Sequence, residues 1–252
     1  MAISLKKATE IDKMRAANKI VAQTLDYVAT IIKPGITLLE IDKICEDMIR
    51  SRGAKPAFKG LYGFPNAACI SLNEVVIHGI PDNTKLKEGD IVGIDIGSNL
   101  DGYFGDSART FGVGKISADD ENLIACSKDA LYFAIDFIRA GMHFKEVCYE
   151  LEKFIIARGY VPLRGFCGHG IGRRPHEEPE IPNYLEGNNS KAGPKIKNGM
   201  VFCIEPMICH TDGTPVVGKD KWSVTAKDGL RTSHYEHCMA IVNGKAEILS
   251  ID

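Results

Sequence analysis

Apolar residues recur at helical spacing from Glu10 to Ile32, and the run stops at Lys33-Pro34-Gly35, where proline and glycine end a helix. Thr37 and Glu40 have the spacing of a capping box for a second helix, which the pattern ends near Arg52-Gly53. The same plan returns later in the chain. Ser117 and Asp120 open a long helical pattern that stops at Ala140-Gly141, and another runs from about Phe144 to Arg158-Gly159. Gly35 and Gly141, Gly53 and Gly159, and Pro56 and Pro162 each differ by 106 positions. The apolar strands that follow repeat as well: LKEGDIVGID (86–95) aligns with IKNGMVFCIE (196–205) at a shift of 110, and each copy ends on a carboxylate.

This periodicity predicts an α+β fold of two halves, roughly 9–113 and 117–248, related by a pseudo-two-fold. Each half supplies a pair of helices covering one face of a shared, mostly antiparallel sheet. No Gly/Ser-rich or charge-rich linker separates the halves, so one structural domain over 1–252 is expected. EGNNSKAGPK (186–195) reads as a surface loop.

With 44% hydrophobic and 25% charged residues the chain has the composition of an ordinary globular protein. A net charge of −2 excludes a basic surface strong enough to dominate binding to nucleic acid or anionic membrane, and leaves only transient ribosome contact open. The start, MAISLKKATEIDKM, lacks the apolar core of a signal peptide, and no apolar run approaches the roughly 18 residues that span a bilayer. A cytoplasmic location without membrane attachment is the expectation. Eight cysteines without a CxxC pair read as reduced thiols and, except at Cys69, as small buried hydrophobes.

Asp95 ends the apolar run IVGID, and Asp106 lies in the next strand, after SNLDG. A hairpin turning through Asn99 to Gly102 would set the two aspartates opposite each other, their Cβ atoms about 5 Å apart. Two like charges that close on a buried sheet need a proton, a basic partner or a bound cation, and a cation is the simplest answer. In the second half Glu205 corresponds to Asp95, and Glu236, in SHYEHCMAIV, to Asp106. His169, in CGHGIG, adds a neutral nitrogen. Oxygen ligands with one imidazole and no thiolate suit Mn, Fe, Co or Zn, and four carboxylates exceed what one divalent ion needs, so two ions are expected. Any one of these acids alone would read as a turn or capping residue; the matched positions in two repeats carry the argument. His78 and His176 on their own read as structural, Trp222 as core, and His143, His210, His234 and His237 as structural histidines.

The motifs NEVVIHGIP, GDIVGIDIG with GDSARTF, CGHGIGRRPHEEP, FCIEPM and YEH resemble those of type I methionine aminopeptidase, in the family's order and through nearly the whole chain. The resemblance implies the duplicated pita-bread fold, a curved sheet covered by two pairs of helices. It implies that Asp106 and Glu236 bridge two metal ions, that Asp95 binds one of them, and that His169 with Glu205 binds the other. His78 and His176 match histidines that contact the scissile peptide and steady the tetrahedral intermediate; Glu205 is the candidate proton shuttle. Cys69 and Trp222 match residues of the methionine pocket. Phe58, Leu61 and Phe64 stand where well-known bacterial members carry Cys, Tyr and Tyr, and Pro175 replaces an aromatic residue found in some members. Only 36 positions separate His169 from Glu205, leaving no room for the inserted subdomain of the type II enzymes; the chain looks like the minimal bacterial form.

The expected activity is removal of the amino-terminal methionine from newly made polypeptides with a small second residue, by attack of a metal-bridging hydroxide, in a monomer whose partners are nascent amino termini. Two other readings share this fold. A proline-directed aminopeptidase or prolidase would carry a large domain before the catalytic one, whereas the repeat here begins near residue 10. A non-catalytic binding protein that has lost its metals would not keep all five ligands.

Overall fold

Residues 3–252 are described by the computed structural model. The first half runs α1 (Ala8–Ile31), α2 (Leu38–Ser51), β1 (Lys55–Pro56), β2 (Ala68–Leu72), β3 (Val75–Ile77), β4 (Ile91–Leu100) and β5 (Tyr103–Gly112). The second begins with α3 (Ala118–Phe137), α4 (Phe144–Ile156), β6 (Val161–Pro162), β7 (Cys167–Gly170), β8 (Glu177–Pro182), β9 (Val201–Ile204) and β10 (Met207–Cys209). It ends with β11 (Pro215–Val217), β12 (Val224–Ala226), β13 (Ser233–His234), β14 (His237–Val242) and β15 (Lys245–Ile248).

The capping chemistry read from the sequence operates at two helix starts. The Thr37 hydroxyl accepts from Glu40 N while the Glu40 carboxylate accepts from Thr37 N at 2.7 Å, and the Ser117 hydroxyl accepts from Asp120 N at 3.1 Å. Helix α3 stops at Phe137, short of the expected Ala140-Gly141, because Ile138 is extended and the amides of Ala140 and Gly141 bond instead to Gly244 O and Ile196 O. The duplication extends to the backbone. Gly35 and Gly141 have φ of 97° and 96°, Gly89 and Gly199 have φ of 87° and 85°, and Gly35 N→Leu86 O is mirrored by Gly141 N→Ile196 O.

Every strand pairing among the described residues is antiparallel. Strands β1, β4 and β2, with β5 on β4, form the sheet of the first half, and β15-β14-β9-β7-β8 that of the second. The two meet where Glu236 N donates to Ala108 O at 2.9 Å and Ser107 Oγ donates to Glu236 O at 2.6 Å. Val21, Leu25 and Ile41 of α1 and α2 pack on Ile70 and Ile94; Leu131 and Leu151 of α3 and α4 pack in the cluster of Phe202 and Met239. The helices thus cover the sheets as the repeat implies.

The register of the β4–β5 hairpin departs from the sequence expectation. Asp95 faces Ala108 and Asp106 faces Gly97, a shift of two residues. The turn is the Asp101-Gly102 pair, with φ of 52° and 78°, a two-residue connection that carries the strands through to Leu100 and Tyr103. Because side chains alternate with period two, a shift of two leaves both aspartates on one face as diagonal neighbours.

Candidate functional site

Asp106 is held by the helix behind it. Asn18 of α1, fully buried, accepts from Asp106 N at 3.1 Å and donates to Met14 O at 2.9 Å. Gly105 permits this approach, since a Cβ there would lie 2.7 Å from Asn18 N. Asp95 is paired in register with Cys69 of β2. Glu236 joins β13 to β14 and is fixed by its backbone bonds to Ala108 and Ser107. Glu205 follows β9, its carbonyl accepting from Asn183 Nδ2 at 2.9 Å. His169 of β7 donates from Nδ1 to Gly170 O at 3.0 Å, which leaves the Nε2 lone pair facing Asp106 Oδ2 at 3.9 Å and Glu205 Oε1 at 3.7 Å. A Cβ on Gly168 would meet Cys203 O at 2.3 Å, so this strand reaches the site only as glycine.

Burial governs the electrostatics. It pushes the Asp95 carboxyl up to about 7 and that of Glu205 up to about 8. Asp106 and Glu236 are driven well above the carboxylate range by burial and then by the acids around them. Burial also depresses His169 to about 3, so its imidazole is neutral and able to coordinate. Asp95 Oδ1, Asp106 Oδ1 and Glu236 Oε1 are buried without a hydrogen-bond partner. Such groups demand compensation, and the donor set, carboxylate oxygens with one imidazole, fits divalent cations. Ligand atoms of Asp106, His169, Glu236 and Cys203 lie within 4.8 Å of one another. Cys203, read from the sequence as a small hydrophobe, thus borders the site. Its thiol is pushed well up by burial, by a hydrogen bond with Cys238 and by Glu236, which keeps it protonated beside the carboxylates.

A cavity of about 490 Å³ opens onto these acids and is lined by the five first-half residues singled out for substrate and catalysis, Phe58, Leu61, Phe64, Cys69 and His78, together with His176 and Trp222. Phe58, Phe64 and Cys69 form one buried apolar cluster with Leu61 and Trp222 against it, and the rings of Phe64 and Trp222 meet edge to face at 5.1 Å. His78 takes φ of 57°, and the next residue must be glycine, because a Cβ on Gly79 would lie 2.2 Å from Ile70 O. Its ring lies edge-on to Phe166 at 5.8 Å, and burial depresses it to about 4. His176 packs edge-on to His169 at 4.5 Å and is also depressed by burial. Glu177 anchors that segment, accepting from Arg173 N, Arg174 N and Lys6 Nζ.

Three residues escaped the sequence reading. Tyr62, at φ of 51°, stacks on His176 at 6.0 Å and supplies an aromatic wall where Pro175 offers none. Cys203 lies two residues before Glu205, and His234 two before Glu236; period-two alternation from each acid was the available signal. His234 places Nε2 3.6 Å from Glu205 Oε2. The other histidines lie elsewhere: His143 bonds Gly193 O, His237 bonds Ser250 Oγ, and His210 packs on Tyr160.

Residues 12–243 match the model of metallopeptidase family M24. The chain is 59% identical to the methionine aminopeptidase of Helicobacter pylori (strain ATCC 700392 / 26695) over 251 residues, covering 99% of each. It superposes on the crystal structure of methionine aminopeptidase from Thermotoga maritima with a TM-score of 0.96 at 36% identity, covering 100% of both chains. A prolidase from Pyrococcus furiosus matches in fold, with a TM-score of 0.80 at 24% identity, this chain covering 65% of it.

Proposed function

The chain belongs to metallopeptidase family M24, and from that premise we propose that Asp95, Asp106, His169, Glu205 and Glu236 hold two divalent ions at the floor of the cavity. The protein is an aminopeptidase that removes the amino-terminal methionine of polypeptides. The observation that carries the ligand assignment is the convergence of three unpartnered, buried carboxylate oxygens with the free Nε2 of His169. Asp106 and Glu236 would be shared by the two ions, Asp95 would hold one of them, and His169 with Glu205 would hold the other. When bound, the ions supply Lewis acidity and an ionised water for attack on the first peptide bond.

The remaining steps belong to side chains. Phe58, Leu61, Phe64, Cys69 and Trp222 take up the methionine side chain, apolar and sulfur contacts suiting its thioether. His78 and His176, kept neutral by burial, donate hydrogen bonds to the carbonyl oxygen as it gains charge. Glu205 accepts the proton of the attacking water and returns it to the leaving amine. The second residue of the substrate must pass between His78 and His176, so a small one is preferred. The unit acting is the single domain 1–252, as a cytoplasmic monomer meeting nascent amino termini, with transient ribosome contact. Among the described residues no helix is long and apolar enough to cross a membrane.

The test is to strip the protein of metal and assay Met-Ala-Ser, Met-Lys-Ser and Pro-leading peptides while restoring Co, Mn, Fe or Zn one at a time. Release of methionine from Met-Ala-Ser, dependent on added ion and poor from Met-Lys-Ser, is expected. Metal-independent cleavage, or cleavage of the Pro-leading peptides alone, would overturn the assignment.

A further inference from the structure

The side chain of His234 is buried and its Nε2 has no hydrogen-bond partner, although it sits beside the proposed proton carrier. Its backbone is pinned twice by one hydroxyl: His234 N donates to Thr110 Oγ1 at 2.9 Å, and Thr110 Oγ1 donates to His234 O at 2.9 Å. The residue is further held by its register with Met207. Glu205 therefore lies between two imidazoles, with Oε1 3.7 Å from His169 Nε2 and Oε2 3.6 Å from His234 Nε2. Glu205 is ionised when it serves as a metal ligand, and a lone pair on Nε2 of His234 would then repel the carboxylate oxygen it faces, whereas a hydrogen there is attracted. The separation exceeds a hydrogen bond, and with the His234 backbone pinned, forming one requires the Glu205 side chain to approach it.

We propose that His234 is a positioning residue for this reaction: its Nε2–H donates to Glu205 Oε2 and holds that oxygen toward the water, while Oε1 stays on the His169 side. A role as a second imidazole ligand is the competing use of the same nitrogen. The inference rests on the reading of Glu205 as proton carrier, and its test separates the two.

His234→Gln keeps an amide donor able to reach the Nε2 position, His234→Asn keeps an amide too short to do so, and His234→Leu removes the donor. Each is assayed on Met-Ala-Ser at saturating metal, with ion stoichiometry and affinity measured by calorimetry and folding by thermal melting. For Leu and Asn, kcat should fall about 10- to 100-fold, the range for groups that orient metal ligands. KM and the affinity for both ions should change by less than about 3-fold, a shift of under about 1 kcal/mol. Gln should recover most of kcat. Loss of an ion in Leu or Asn would make His234 a ligand and overturn the proposal. So would equal activity of Leu, Asn and wild type, or a Gln variant no better than Asn. Wild-type protein inactive on Met-Ala-Ser would overturn the functional reading and this inference together; active wild type with any of the other adverse results overturns the inference alone.

Discussion

At the scale of single residues the site separates groups that hold charge from groups that donate hydrogen bonds, and substitution should distinguish them. Asp106→Asn leaves a side chain of the same shape without its charge, so the variant should fold but retain neither ion firmly. Activity should drop beyond the ~10–100-fold typical of an outer-sphere change; near-normal turnover at saturating metal would remove Asp106 from the ligand set. His176→Ala should lower kcat on the order of 10²-fold, as for a lost oxyanion donor, with the metal content of the purified enzyme unchanged. Metal loss in that variant would mark His176 as a ligand instead. The acids were readable in the sequence because unpaired charge after an apolar strand is costly wherever it occurs. His234 and Cys203 were not, because a histidine or thiol can be satisfied in many ways, and only the placement of Glu205 and Glu236 shows what these side chains face.

Elements act here by bringing backbones close enough for ligands to converge. The approach of β5 to α1 is the tightest support of Asp106, and Gly105 is its contact point, where an added Cβ would lie 2.7 Å from Asn18 N and 2.8 Å from Ala17 C. Backbone atoms of a helix cannot step aside as a side chain tip can. Gly105→Ala should therefore destabilise the protein by about 1–3 kcal/mol, as overpacking does, and weaken ion binding because Asp106 moves with the strand. Thermal melting and metal titration of one preparation check both, and a variant of unchanged stability would show that the contact yields. The helices and their caps were legible because periodicity and capping are local. The hairpin register was not, since SNLDG permits more than one turn, and the positive φ at Asp101 and Gly102 selects the one that forms. Because the shift from the expected register is even, Asp95 and Asp106 keep the shared face that the alternation assigns them.

For the whole molecule, the buried acids make the stability of the metal-free protein depend on pH in a direction that can be derived. Asp95 titrates at about 7 and Glu205 at about 8 when folded, against ordinary values of 3.8 and 4.5, with Asp106 and Glu236 also shifted up. Between the ordinary and the folded values the native state binds protons that the unfolded chain does not. Native stability is then greatest at low pH in this range and is lost as pH rises through the folded values. Buried histidines act in the opposite sense: His78 and His237 are depressed to about 4 from 6.5, so their contribution is lost as pH falls from 6.5 toward 4. Above about pH 7.5 the histidines are essentially neutral in both states, and the acids alone set the slope. The melting temperature of the metal-free protein should therefore fall between about pH 7.5 and about 9, where the carboxylates lose their protons and repel. Protein loaded with divalent ions should show little of this fall, because the ions stabilise the ionised acids and bind only the native arrangement. The difference in melting temperature between the two forms should widen as pH rises. Melting curves at matched ionic strength across this interval decide the matter, and parallel curves for the two forms would mean that the cations are not neutralising these four carboxylates.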